Sequence, residues 1–427
     1  MKLPEDFKRE TKRLMGSELY GQLLRGLDEE PTVSIRLNPL KCKLEEVQIP
    51  LESGKVAWCP TGFYLKERPN FTFDPLFHAG VYYVQEASSM FIDHVLRSIL
   101  PESPVQMLDL CAAPGGKSTA ARALLPAGSV LFTNEPMRQR VQILSENIQK
   151  SGYENVIVTN NFAADYRKAG LQFDVVLCDV PCSGEGMFRK EAVALADWSL
   201  QNVEKCRRLQ REIVADIWPC LKPGGLMIYS TCTFNVHENE ENVAWIAEEL
   251  GAEFVPIEVQ ADWQITGSLI DEHPVYRFIP GKSRGEGLFM AVLRKRGDKV
   301  ADSKVPSWKD LRSVALKRLN VVYDGVKEAE RRGKQLVPDH SEALSAGLDM
   351  EKYPVAAVDY RQAVAYLRKE AVVLPPETPK GIVLLTYQNA PIGFAKNVGN
   401  RANNLYPQEW RIKSTHIPEL KEIIKKI

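Results

Sequence analysis

Five apolar runs recur along the middle of the chain: VQMLDL (105–110), SVLFTNE (129–135), NVIVTN (155–160), DVVLCD (174–179) and GLMIYSTC (225–232). No other feature constrains the fold as strongly. Strands that are apolar at successive positions must be covered on both faces. Alternated with helices, they give a parallel, doubly wound α/β sheet. The clearest intervening helix is PMRQRVQILSENIQKSG. Met137, Val141, Leu144 and Ile148 fall on one face, Pro136 suits its first turn and Gly152 its C-terminal cap. A second helix is predicted in QEASSMFIDHVLRSIL, with Phe91, Val95 and Ile99 four residues apart and Ser88 or Ser89 as the cap. EFVPIEV and GLFMAVLRK read as strands closing the sheet's edge.

The flanks have a different texture. Residues 1–75 mix a charged helical start with short extended pieces, and 76–296 carry the alternating pattern. Residues 297–375 read as a linker, GDKVADSKVPSWKDL, followed by basic, helical sequence to about Leu348. A Pro-rich stretch then introduces 376–427, a small unit of short strands with Gly/Asn/Pro turns. Positive and negative side chains cancel, 55 against 55, so net charge argues for no partner. Ten Lys/Arg against five Asp/Glu in 299–335 make the C-terminal third more basic, which permits a polyanion. The N-terminus is too charged for a signal peptide, and no run is long enough to span a membrane. Eight cysteines without a CxxC pair or a disulfide-scaffold spacing point to reduced thiols and a cytoplasmic protein.

Ligands of open α/β sheets bind beyond the carboxyl ends of the strands. Polar residues gather there: Asp109, Glu135, Asn160 and Asn161, Asp179 with Cys182, and Cys232. In DLCAAPGGKSTA, Gly115 and Gly116 let backbone approach a ligand, and the following helix offers its amides to an anionic group. A phosphate loop is excluded, because that motif needs glycine at position 111, which is cysteine. Glu135, about 20 residues beyond the glycine turn, suits ribose hydroxyls; a surface carboxylate is the competing reading. Together they imply an adenosine cofactor. Zinc needs about four ligands at matching spacing, and the six histidines are scattered, so no metal is expected. Two buried core thiols are the ordinary alternative for Cys182 and Cys232.

DLCAAPGGKSTA, Glu135, DVPCSGEGMFRK and YSTCTFNVHENEEN together resemble the Nol/Nop/Sun (RsmB/Nop) family of S-adenosylmethionine-dependent RNA cytosine-C5 methyltransferases. The likeness covers most of the chain. SIRLNPLK, with Arg36, Asn38 and Lys41, resembles the family's N-terminal RNA-binding motif, and GVYYVQEASSM its entry segment. PKGIVLLTYQNAPIGFAKNVGN, with Gly381 at its first turn, is similar to the C-terminal PUA-like unit of the bacterial RsmF-type 16S rRNA enzymes.

The resemblance implies a Rossmann-like class I methyltransferase core between an N-terminal RNA-binding region and a C-terminal PUA-like domain. It implies methylation of cytidine C5 in 16S rRNA of the small ribosomal subunit, through a covalent cysteine–cytosine intermediate. Methylation of tRNA is the alternative substrate reading, and a non-catalytic RNA-binding ribosome-assembly protein the alternative of a different class. The TCT motif assigns Cys232 as nucleophile and Cys182 as the residue of product release. DNA cytosine-C5 enzymes carry the nucleophile in a PC motif, which favours Cys182, but the SGEGMFRK continuation and the second thiol favour the RNA family. Asp179 is expected at the cytosine edge and Lys117 as an orienting group. Cofactor contacts are expected from Cys111, Ala112, Ala113, Pro114, Gly115, Gly116, Lys117, Glu135 and Asp179. Contact beside the adenine falls to Asn160 or Asn161, of which Asn161 is taken, with Arg140 as a further candidate. Arg189 and Lys190 are expected to hold RNA phosphates.

Overall fold

The computed structural model describes residues 1–297, 306–333, 335–414, 417–419 and 421–426. Residues 298–305 of the expected linker GDKVADSKVPSWKDL lie outside the described residues, as does that part of the basic segment. The predicted strands form at Gln106–Asp109 (β1), Val130–Asn134 (β2), Val156–Thr159 (β3), Phe173–Asp179 (β4) and Leu221–Thr231 (β5). They pair in parallel in the order β3-β2-β1-β4-β5. Every residue of β1, β2 and β3 is buried, which is why their sequences are apolar without alternation.

Antiparallel strands extend both edges, so the sheet is mixed rather than purely parallel. Ala252–Phe254 (β6), Val275–Phe278 (β7) and Leu288–Lys295 (β8) follow β5; β8 pairs antiparallel with β5 and carries β6 and β7 on its outer edge. At the opposite edge Val321–Tyr323 (β9) pairs antiparallel with β3. This corrects the expectation of helical sequence to Leu348. Two helices form there, Trp308–Arg318 and the short His340–Leu344, and the apolar VVY that follows the first closes a sheet edge instead of continuing the helix.

Phe91–Ile99 (α1) precedes β1, Gly116–Leu124 (α2) follows it, and Arg138–Ser151 (α3) links β2 to β3. No serine caps α1; instead the Glu86 carboxylate accepts the amides of Ser88 and Ser89 at 2.9 and 3.0 Å. Helix α3 starts after Pro136, with Met137 exposed as its cap, while Val141, Leu144 and Ile148 are buried as predicted and Gly152 ends it in the left-handed conformation.

The outer regions share one core. An N-terminal four-stranded sheet (Val33–Leu37, Glu52–Lys55, Gly62–Leu65, Tyr82–Val84) contributes Ile35, Leu37 and Phe63. A C-terminal sheet contributes Val383, Leu385, Ile392 and Ala402 to the same cluster. That sheet takes its first strand from Val355–Ala357, parallel to Gly381–Tyr387 and upstream of the boundary expected at 376. The core spans both ends of the chain, so truncation after Lys295 is expected to leave an insoluble or partly unfolded protein rather than a folded one that merely binds RNA weakly. A truncated chain that unfolds cooperatively at an unchanged midpoint would refute this.

Candidate active site

The order β3-β2-β1-β4-β5 places its switch point between β1 and β4, where loops leave in opposite directions and open a crevice. The loop from Asp109 into α2 lines it. Gly115 has φ +115° and a Cβ there would lie 3.2 Å from Leu144 Cδ1, so glycine lets this turn pack on α3. A Cβ on Gly116 would lie 3.3 Å from Tyr83 Cε1. Side chains from α3 fix the turn: Arg140 donates to Ala113 O and Asn147 to Pro114 O, each at 2.8 Å.

A cavity of about 180 Å³ lies here, lined among others by Asp109, Cys111, Ala112, Ala113, Pro114, Gly116, Lys117 and Asp179. Tyr83, Val84, Gln85, Glu86 and Ser89 complete its wall. The GVYYVQEASSM match pointed to that segment without naming its residues. Gly115 lies in the same turn and Glu135 at the end of β2, both outside the cavity lining. Asn161 is not there either. Its Oδ1 accepts the Asn320 amide at 3.0 Å, while Asn160 Nδ2 donates to Glu135 O at 2.7 Å. Both asparagines fasten the outer sheet edge.

Two buried carboxylate oxygens beside the cavity have no hydrogen-bond partner: Asp109 Oδ1 and Glu135 Oε2. Arg140 Nη1 lies 3.3 Å from Glu135 Oε2, an ion-pair distance without hydrogen-bond geometry. Unpaired buried acceptors are costly, so such a site favours a ligand rich in donors and positive charge. Burial pushes the Asp109 carboxyl up to about 7; its hydrogen bond from Ser118 opposes this and Asp179 adds to it. Asp109 then binds more protons in the folded state than in the unfolded chain between about pH 4 and 7, so its contribution to stability falls as pH rises through that window and levels off above it. Asp109→Asn is expected to reduce that slope in urea unfolding of the ligand-free protein between pH 4 and 8; an unchanged slope would place the titration elsewhere.

Beside the cavity stands the second group of predicted residues. Lys117 Nζ donates to Asp179 Oδ2 at 2.8 Å, and Ser230 Oγ donates to Asp179 Oδ1 at 2.6 Å. Burial opposes the Lys117 ammonium, but the Asp179 carboxylate outweighs it and holds the amine above its usual range. Cys182 and Cys232, 50 residues apart in the chain, meet with their sulfurs at 3.3 Å. The pairing of β4 with β5 causes this, since Ser230 sits opposite Asp179 and each strand ends in its thiol loop. The contact with Cys232, and then burial, hold Cys182 as a thiol well above the usual range.

Several expected RNA contacts are instead internal. Arg36 is buried; its Nε donates to Gln85 Oε1 and its Nη2 to Thr119 Oγ1, both at 2.7 Å. Asn38 donates to Gly80 O and Ser151 O at 2.9 Å, and Lys41 to Ala79 O and Lys150 O at 2.7 Å. Burial lowers the Lys41 amine to about 7. SIRLNPLK therefore latches the N-terminal sheet to α2 and α3. Arg189 is equally committed: its Nε and Nη2 grip Glu286 at 2.6 and 2.9 Å, and Lys190 Nζ lies 3.1 Å from the same carboxylate. A charge run in sequence does not distinguish a phosphate contact from a buried pair.

Among the described residues, no helix is long and apolar enough to cross a membrane, and no group of three or more His, Cys, Asp or Glu side chains is placed to hold a metal ion. Comparison with known proteins adds the following. Residues 98–294 match the family model described as 16S rRNA methyltransferase RsmB/F, residues 3–87 the N-terminal domain of 16S rRNA methyltransferase RsmF, and residues 353–412 the methyltransferase RsmF PUA domain. Ribosomal RNA small subunit methyltransferase F of Cronobacter sakazakii is 29% identical over 88% of this chain and 89% of its own length. The protein of that name from Escherichia coli is 28% identical over 95% and 96%. Among solved structures, NSun6 from Pyrococcus horikoshii with SFG superposes with a TM-score of 0.59 at 21% identity, covering 69% of this chain and 99% of that one. A methyltransferase homologue from the same organism gives 0.56 at 24% identity, covering 69% and 100%. The doubly wound sheet, the paired thiols and the matched flanks thus have one common source: the chain belongs to the 16S rRNA methyltransferase RsmB/F family.

Proposed function

We propose that this protein transfers the methyl group of S-adenosylmethionine to C5 of a cytidine in 16S rRNA, with Cys232 as nucleophile and Cys182 assisting release. The observation that carries this reading is the meeting of two thiols at 3.3 Å next to the Lys117–Asp179 pair, which itself lines the cavity beside the glycine turn. The cavity suits the cofactor chemically. An ammonium, a sulfonium and a ribose diol are the donors and charges that Asp109 Oδ1 and Glu135 Oε2 lack. When bound, the cofactor supplies an electrophilic methyl group on sulfur.

The protein's own residues explain the rest. Cytosine C5 is too weak a nucleophile to take a methyl unaided. Addition of the Cys232 thiolate to C6 pushes electron density onto C5, splitting one difficult step into two easier ones. Once C5 is methylated, its proton leaves and the C6–S bond breaks, restoring the aromatic ring and the free Cys232 sulfur. Cys182, held as a thiol against Cys232, suits a role in that elimination. Asp179 is half-open, its side chain 32% exposed, and fixed at both oxygens, so it suits the N3/N4 edge of a cytosine that has left its stack. Lys117 orients Asp179. The shared N- and C-terminal core fits a role in presenting structured RNA to this cleft.

Methyl transfer from labelled S-adenosylmethionine tests the reading, with naked 16S rRNA, isolated small subunits and bulk tRNA as substrates, followed by bisulfite sequencing. New 5-methylcytidine in 16S rRNA is expected. Label in tRNA alone would move the substrate, and label in none would favour an RNA-binding assembly protein.

A further inference from the structure

Two buried carboxylates outside the predicted set connect the thiol loops. Glu185 stands three residues after Cys182, yet its Oε2 accepts the amides of Phe234 and Asn235 on the Cys232 loop at 2.6 and 3.0 Å. Glu238 stands six residues after Cys232, yet its Oε2 accepts the Ser183 amide on the Cys182 loop at 2.9 Å, and its Oε1 accepts the Ser183 hydroxyl. Each carboxylate thus belongs to one loop and holds the other. Asn235 Nδ2 donates to both, at 3.1 and 2.8 Å. Trp198 Nε1 donates to Glu185 and Gln210 Nε2 to Glu238, at 2.9 and 2.7 Å. Gly186 N also donates to Cys232 O at 2.7 Å, an approach that a side chain would block because a Cβ there would lie 2.6 Å from that oxygen.

Such an arrangement is more than loop packing requires. Neutral donors and acceptors would satisfy the same amides without burying two charges close enough for Glu185 to help raise the Glu238 carboxyl to about 7, behind the larger effect of burial. Charge-assisted bonds are the stiffer choice where geometry matters. We propose that Glu185 and Glu238 form a crossed clamp of positioning residues that fixes the separation of the Cys182 and Cys232 sulfurs. Its catalytic consequence rests on the function proposed above; its geometric consequence does not.

The two are tested separately. Phenylarsine oxide bonds arsenic to both sulfurs of a close dithiol, and the two thiol protons leave with its oxygen as water. The full-length protein is expected to capture one equivalent in the presence of excess monothiol, and Cys182→Ser none. Glu185→Gln and Glu238→Gln are expected to weaken capture by roughly 10-fold or more. They should lower kcat for methyl transfer by about 10²-fold, as misplaced reacting groups do, while the cofactor Kd stays unchanged. If either variant does not fold, Asn235→Ala, which removes one donor from each carboxylate, must show the same loss of capture. Folded variants that capture the arsenical as tightly as wild type overturn the clamp. Weakened capture in a protein that methylates no RNA upholds the clamp and overturns the proposed function instead.

Discussion

Cys182→Ala is expected to accumulate a covalent protein–RNA adduct, whereas Cys232→Ala abolishes adduct and product together. The asymmetry follows from the roles proposed for the two sulfurs, Cys232 attacking C6 and Cys182 serving release. Cys182 is held as a thiol by its contact with Cys232 and by burial. Removing an attacking nucleophile costs roughly 10⁴-fold or more in rate. Removing Cys182 leaves attack and methylation intact but withdraws assistance from elimination, so the C6–S bond persists. Denaturing gel electrophoresis with labelled 16S rRNA reads both outcomes. An adduct that accumulates in Cys232→Ala and vanishes in Cys182→Ala would reverse the roles.

Glu286→Ala is expected to destabilise the fold by about 3–5 kcal/mol, the cost of leaving a buried charge without its partner. Arg189 and Glu286 are 4% and 3% exposed, and Arg189 also donates to Gly26 O and Gly285 O at 2.7 and 3.1 Å. The loss falls on the joint between the N-terminal helix, the Cys182 loop and the segment before β8. Urea unfolding measures it. A change below about 1 kcal/mol, the range of surface pairs, would mean that Arg189 is available to RNA phosphates after all.

Five strands of unbroken apolar sequence have only one economical packing, and the crevice at their carboxyl ends was therefore legible before any coordinates. So were Asp109, Cys111, Gly116, Lys117 and Asp179 in its lining and the two cysteines beside it, because these are local patterns tied to strand ends. Charge was not legible. Arg36, Lys41, Arg189 and Lys190 have the composition of a nucleic-acid surface, and only their partners, Thr119, Lys150 and Glu286, identify them as internal fastenings. Nor was the partner of Asn161 legible. Asn320, which engages it, lies 159 residues away.

The sequence by itself determined the sheet, its switch point and the chemical inventory of the cleft, because strand burial and strand-end turns are encoded within a few residues. Tertiary structure alone decided that the outer regions share a core, that β9 closes the far edge, and that Glu185 and Glu238 reach across from one thiol loop to the other. Each of these depends on contacts between distant segments, and neither hydrophobic period nor residue type carries information about a partner that far along the chain.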